Sequence, residues 1–191
     1  MRKLLSILVL LTALSASAQD RAITMRDMLK QMPDTLVPFL PQNARLDFID
    51  FIESNMKAEV NNRLDGKSEL VRLTDNYALL NMSKSSQIEM RLLDTTEEID
   101  SLRQLLCVVR SYGTDISESV VEFYSLCWRR LPTTNRVELP TEMFQANLSE
   151  REPTLSIRPE CRLDAPANEE QEEIQKPLTV LNWDGTRFKE Y

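Results

Sequence analysis

Residues 105–131, LLCVVRSYGTDISESVVEFYSLCWRRL, place two apolar runs on either side of a turn-rich centre, and their reading decides the fold. Leu105, Leu106, Cys107, Val108 and Val109 form an unbroken apolar run, short and valine-rich, which suits a strand covered on both faces. In the second run Val120, Tyr124, Leu126 and Trp128 alternate with Val121, Phe123 and Cys127, again filling both faces. Between them Gly113, Asp115, Ser117 and Ser119 supply turn chemistry: glycine accepts positive φ, and short polar side chains bond to the local backbone. The stretch therefore predicts a central hairpin, with Val120 to Leu131 as its second arm. If the hairpin is centred on Ser117, Cys107 and Cys127 face each other. The alternative is two buried free thiols acting as small hydrophobes. With Cys161 the cysteines number three, so at most one intramolecular disulfide can form.

Toward the N-terminus the alternation continues. Tyr77 to Ser83 and Gln87 to Leu93 flank Lys84-Ser85-Ser86, and Ile88, Met90 and Leu92 alternate with Gln87, Glu89 and Arg91. That pattern predicts a strand with one wet face. Thr95 to Arg103 is polar and reads as a loop or a single helical turn. Before Leu70 the period is helical. Thr24 and Asp27 form a loose capping box, Met28, Leu29 and Met32 an apolar stripe, and Pro33 a stop. A longer helix is expected from Asn43 to about Leu64, with Gly66 ending it. Its buried face would be Leu46, Ile49, Ile52, Met56, Val60 and Leu64, with Glu53–Lys57 and Glu59–Arg63 pairs on its flank.

Toward the C-terminus, Thr154 to Arg158 reads as a short strand and residues 164–176 as a charged connector. Leu178 to Trp183 and Thr186 to Tyr191 flank Asp184-Gly185, a hairpin signal that would pair Trp183 with Thr186 and Leu181 with Phe188.

The first eighteen residues, MRKLLSILVLLTALSASA, read as a secretory signal peptide cleaved after Ala18. Two basic residues precede a short apolar run, and Ala16-Ser17-Ala18 supplies the cleavage motif. The expected mature chain, residues 19–191, is a single domain in the periplasm or outside the cell. Because the leader carries two basic and no acidic residues, its loss moves the formal charge from −7 to −9. That balance argues against nucleic acid and anionic lipid, and nothing in the mature part is long and apolar enough for a membrane span.

Several segments carry a resemblance: MRDMLKQMPDTLVPFLPQNARLDFIDFIESNMKAEVNNRLDGKSELVRLTDNYALLNM, LLCVVRSY, SVVEFYSLCWRRL and LNWDGTRF. Together they are similar to a family of exported proteins from gut-type Gram-negative bacteria, catalogued as a domain of unknown function. The resemblance runs from about Ile23 to the C-terminus. It implies an envelope or secreted protein and carries no catalytic residues.

With no histidine in the chain, Ser-His-Asp and Cys-His units, HExxH and His-bearing zinc sites are excluded. Three glycines leave no phosphate loop. No metal and no cofactor is expected. Asp47 and Asp50 share a helix face and could form an acid pair, although acids near a helix start are the ordinary pattern. The run Glu169, Glu170, Glu172 and Glu173 reads as a solvated segment. The partner-binding candidates are Trp128, Arg129 and Arg130 at the end of the hairpin, with Tyr112 near the opposite arm's end, residue types enriched in binding hot spots. On a strand Trp128 and Arg129 would point to opposite faces and could not form one patch. The expected architecture is α+β, with N-terminal helices packed on a largely antiparallel sheet of about five to seven strands. The expected function is non-catalytic binding of an envelope protein or glycan; the alternative is a carboxylate-based hydrolase acting on an envelope polymer.

Overall fold

The structure, a computed structural model, describes residues 22–114, 117–159 and 178–190. The leader with its cleavage site, Cys161, the acidic connector and Tyr191 lie outside the described residues.

Eleven strands and two short α-helices make up the described chain, so the fold is dominated by antiparallel sheet. The first sheet is a seven-stranded meander in chain order: β1 (Glu59–Asn61), β2 (Lys67–Leu73), β3 (Tyr77–Ser83), β4 (Ser86–Ile99), β5 (Leu102–Tyr112), β6 (Glu118–Tyr124) and β7 (Arg130–Leu131). The second sheet has four strands, β8 (Phe144–Leu148), β9 (Thr154–Pro159), β10 (Thr179–Trp183) and β11 (Phe188–Lys189), ordered β11-β10-β9-β8. Instead of the one sheet expected from the sequence, two are packed together.

Side-chain alternation explains the layers. Ala78, Leu80 and Met82 of β3, Ile88, Met90 and Leu92 of β4, and Leu106 and Val108 of β5 form one core with Met25, Met28, Leu29, Phe48 and Ile49 of the helices. The intervening Tyr77, Leu93, Leu105, Cys107 and Val109 form a second core with Ala146, Leu148, Leu155, Ile157, Leu181 and Phe188 of the second sheet. The face of β4 expected to be wet is thus covered, and Glu89 and Arg91 are buried at 5 % and 6 % exposure.

The central hairpin forms, and β5 and β6 lie inside the sheet as expected. Its register pairs Cys107 with Phe123, so the two cysteines do not meet; Cys107 is a buried free thiol and Cys127 an exposed one. The second arm ends early, at Tyr124. A tight turn follows, in which the Trp128 N–H donates to the Ser125 carbonyl and Trp128 takes φ 60°, and β7 then pairs back onto β6.

The capping box of α1 (Met25–Gln31) is present: the Asp27 N–H donates to Thr24 Oγ1, and the Thr24 N–H donates to the Asp27 carboxylate. The long helix is shorter than its periodicity predicts. α2 spans Gln42–Glu53 and stops because Asn55 adopts φ 54°, with the Asn55 N–H on the Ile52 carbonyl and the Met56 N–H on the Phe51 carbonyl. That is a Schellman ending with asparagine where glycine is usual. Met56 and Leu64, beyond that end, are exposed; Leu46, within α2, is exposed because the face turned to the core is Ala44, Arg45, Phe48 and Ile49. Glu53 pairs with Arg26, and Glu59 pairs with Lys57 and Lys67. Gly66 sits in the β1–β2 turn, where its N–H donates to Asn62 Oδ1.

Thr95 to Arg103 is strand on both sides of a two-residue turn, Asp100-Ser101, whose positive φ values of 50° and 65° identify a tight hairpin. The C-terminal hairpin also forms, with its register shifted by two. Asn182 pairs with Lys189 and Trp183 with Phe188, because Asp184 Oδ1 accepts from the Thr186 and Arg187 N–H groups and stabilises a longer loop. A two-residue shift preserves facing, so Leu181 and Phe188 still point into the core. Gly185 takes φ 98° against β4, where the Thr96 N–H donates to its carbonyl. Among the described residues no helix is long and apolar enough to cross a membrane.

Candidate functional site

The residues singled out from the sequence do not assemble into one patch. Trp128 is half-buried against Tyr124, with ring centroids 5.6 Å apart, and packs on the helix-side core. Arg129 is exposed and pairs with Asp100 at 2.6 Å. Arg130 is exposed and pairs at 2.9 Å with the buried Glu122, which Arg110 also reaches at 3.4 Å. Tyr112 lies six rungs along β5 from the Leu106–Tyr124 pair, roughly 20 Å away. The Arg129 pair is exposed and contributes little, and Glu122 keeps Arg110 and the Tyr124 hydroxyl when Arg130 is removed. Alanine at Arg129 and Arg130 together is expected to cost less than about 1 kcal/mol in a denaturant titration. A loss above about 2 kcal/mol would make them structural.

A different site is built at the turn end of the first sheet, where it meets β8. A cleft of about 320 Å³ is lined by Asn81 and Ser83 of β3, Lys84 and Ser85 of the following turn, Ser86 and Gln87 of β4, Ser111 of β5, and Gln145 and Asn147 of β8. Strand pairing brings these together: Asn81 is opposite Gln87, Ser83 opposite Ser86, and Gln87 opposite Ser111. The β5–β6 turn is tied to the β3–β4 turn, since the Gly113 N–H donates to the Ser85 carbonyl. On the β8 side, Ser119 Oγ lies 2.8 Å from Ser111 Oγ and accepts from the Ala146 N–H at 2.9 Å. The walls thus come from both sheets, and the chemistry of the described lining residues is amide and hydroxyl with one charge, Lys84.

Behind the cleft sits Glu89. Its carboxylate accepts from Gln87 Nε2 at 2.9 Å and from the Leu148 N–H at 2.5 Å, linking the two walls. Burial pushes its pKa up to about 7, against the lowering effect of those two hydrogen bonds. Next along β4, Arg91 donates to the carbonyls of Ser149, Glu150 and Arg151 and holds the β8–β9 connection. Burial also pushes the Tyr77 hydroxyl and the Cys107 thiol upward, with the Glu89 charge adding to both.

A family model described as "Protein of unknown function (DUF3256)" matches residues 17–150. The chain belongs to the DUF3256 family. That match takes in the whole first sheet and β8, and so every residue named in the cleft wall. The family description carries no activity. A search of curated proteins finds no match. Among solved structures, the DUF3256 chain is similar to "Structure of a domain of an uncharacterized protein from Porphyromonas gingivalis W83". The TM-score is 0.67 at 18 % identity, over 87 % of this chain and 97 % of that one. At that identity the likeness shows the fold alone.

Asp47 and Asp50 are exposed on α2, away from the cleft. No group of three or more cysteine, aspartate or glutamate residues among those described is placed to hold a metal ion. A second groove, about 570 Å³, runs along the second sheet past Leu139, Ile157, Leu181 and Phe188, and its rim residues Pro159 and Thr179 adjoin the undescribed residues 160–177. Sequence reasoning missed the cleft because it treated Lys84-Ser85-Ser86 and Gly113 only as turns. The available signal was the change, at one end of several alternating strands, from apolar to Asn, Ser and Gln: Asn81, Ser83, Gln87 and Ser111.

Proposed function

We propose that this protein is a non-catalytic binding protein of the cell envelope that takes a polyhydroxylated ligand, a glycan, in the cleft between β3, β4 and β8. The observation that carries this reading is the composition of the cleft: asparagine, glutamine and serine side chains from both sheets, with Lys84 as the one charge among the described lining residues. Amide and hydroxyl groups both donate and accept, which matches the alternating hydroxyls of a sugar ring. A protein-docking hot spot would instead present aromatic anchors in a desolvated pocket, and no aromatic is among the described residues that line this cleft. Its volume, at the lower end for ligand pockets, suits one or two sugar units. The leader-like N-terminus and the acidic surface support an envelope location.

The test is a titration of isotope-labelled protein with a panel of envelope-type oligosaccharides, followed by NMR. Shifts at Asn81, Gln87 and Asn147 are expected. The double variant Asn81→Ala, Asn147→Ala should weaken binding roughly tenfold, since two hydrogen bonds of about 1 kcal/mol each are lost and partly replaced by water. Shifts that map away from the cleft, or none with any sugar, would overturn the proposal.

A further inference from the structure

The cleft contains a carboxamide whose orientation is set from behind. Gln87 is a wall residue, and its Nε2 donates to Glu89, which is itself 95 % covered and also takes the backbone N–H of Leu148 from the opposite wall. An ionised carboxylate accepts only, so it must hold Gln87 by the NH₂ group, leaving the amide oxygen to the cleft. A protonated carboxyl has one O–H to donate, and an amide meets it best through its oxygen.

We infer that Glu89 sets the hydrogen-bonding polarity of the cleft: ionised, it makes Gln87 present an acceptor to the ligand, and protonated, it turns the amide over so that Gln87 presents a donor. Glu89 is thus a positioning residue, and the inference rests on reading the cleft as a ligand site. A single proton exchanges one hydrogen-bonding preference for another without moving the backbone.

The groups facing Glu89 leave it as the titrating site. From β3 comes Tyr77, whose hydroxyl is pushed upward; from β5 comes Cys107, whose thiol is also pushed upward. On β4 itself Arg91 is occupied by three carbonyls, and β8, Phe144–Leu148, carries no ionisable side chain. Glu150, beyond β8, pairs with Arg72 at 2.8 Å. Burial places the transition of Glu89 near neutrality, at about 7.

The experiment follows the Gln87 side-chain NH₂ signals and the Leu148 backbone amide by NMR in the full chain, from about pH 5.5 to about pH 8.5, a span that starts above an ordinary carboxyl pKa and brackets the raised one. Both should titrate together with one midpoint near 7. In Glu89→Gln, a neutral isostere, both should be flat. Signals that stay still in the wild type, or titrate unchanged in the variant, would overturn the inference. Should Glu89→Gln fail to fold, Gln87→Ala provides a second arm: the Leu148 amide must still titrate near the same midpoint, and loss of that titration counts against Glu89. A glycan that occupies the cleft should change affinity across the same midpoint in the wild type alone. If the amides titrate while no sugar binds, the glycan reading fails and the control of Gln87 by Glu89 stands.

Discussion

Arg45→Ala is expected to lower the free energy of unfolding by about 3–5 kcal/mol, the combined cost of two buried carbonyls left without a donor and the cavity of a large buried side chain. Arg45 is 2 % exposed, one of the largest fully buried side chains in the protein. Its Nη1 donates to the Leu40 carbonyl at 2.7 Å and its Nη2 to the Met32 carbonyl at 2.6 Å, while Asp34 balances the charge at 2.9 Å. Met32 caps the end of α1 and Leu40 precedes α2, so one guanidinium satisfies the carbonyls on both sides of the proline-rich connection. Alanine would leave two carbonyls without their donor and open a cavity where the arginine stem had packed. Arg45→Met should recover the packing part and remain destabilised. Asp34→Ala should cost less than Arg45→Ala, since both carbonyls keep their donor and only the counter-charge, itself 58 % exposed, is lost from the buried guanidinium. Urea denaturation of the three variants tests this; a loss below about 1 kcal/mol for Arg45→Ala would show that water replaces the guanidinium at no cost.

The second large effect depends on pH. The Glu89 carboxyl has its folded pKa at about 7, against an ordinary 4.5 for an exposed glutamate. Between those values the folded protein holds a proton that the unfolded chain has released, so stability is full below about 4.5 and falls as pH rises through about 7. At about 1.4 kcal/mol per pKa unit, the loss totals about 3 kcal/mol by pH 8. Glu89→Gln carries no charge to desolvate. It should match the wild type near pH 4.5 and exceed it at pH 8 by about 2–3 kcal/mol, the hydrogen bond from Leu148 remaining with the amide oxygen. Carboxylates held in the opposite direction act elsewhere on the scale. Asp184 lies well below the usual range through its bond from Lys189, and Glu59 is lowered to about 2 by Lys57 and Lys67, so their stabilisation is lost only as pH falls below about 4. Denaturant midpoints at the two pH values, for wild type and variant, test this; equal pH profiles would rule out Glu89 as the source.

Much of the first sheet was legible because its strands alternate cleanly and its hairpins carry recognisable turns. Tyr77–Ser83, Gln87–Leu93 and the arms around Gly113 are all strand, in the pairings expected. What failed did so for identifiable reasons. Periodicity ran the second helix on to Leu64, since Val60 and Leu64 keep helical spacing, while Asn55 stopped it through a left-handed backbone that no apolar pattern reports. Asp100-Ser101 turned a polar stretch into the tip of the longest hairpin without any glycine. Glu89 and Arg91 looked wet because their alternation is polar; only the second sheet, assembled from residues more than fifty positions away, makes them buried. The second wall of the cleft was hidden for the same reason, since Gln145 and Asn147 come from β8, a strand that the sequence did not single out.

In both sheets every hydrogen-bonded neighbour is also the neighbour in sequence. The meander from β1 to β7 therefore needs no crossover, and each strand can add to an edge made by the residues just before it. Short loops cost little closure entropy, so the topology favours rapid zippering of the first sheet and places the slower search at one later event, the docking of β8–β11. The order has a kinetic consequence: until the second sheet docks, the open face would expose Leu93, Leu105, Val109 and Phe123 around Glu89 and Arg91, so the half-formed chain carries an apolar sheet face at that step.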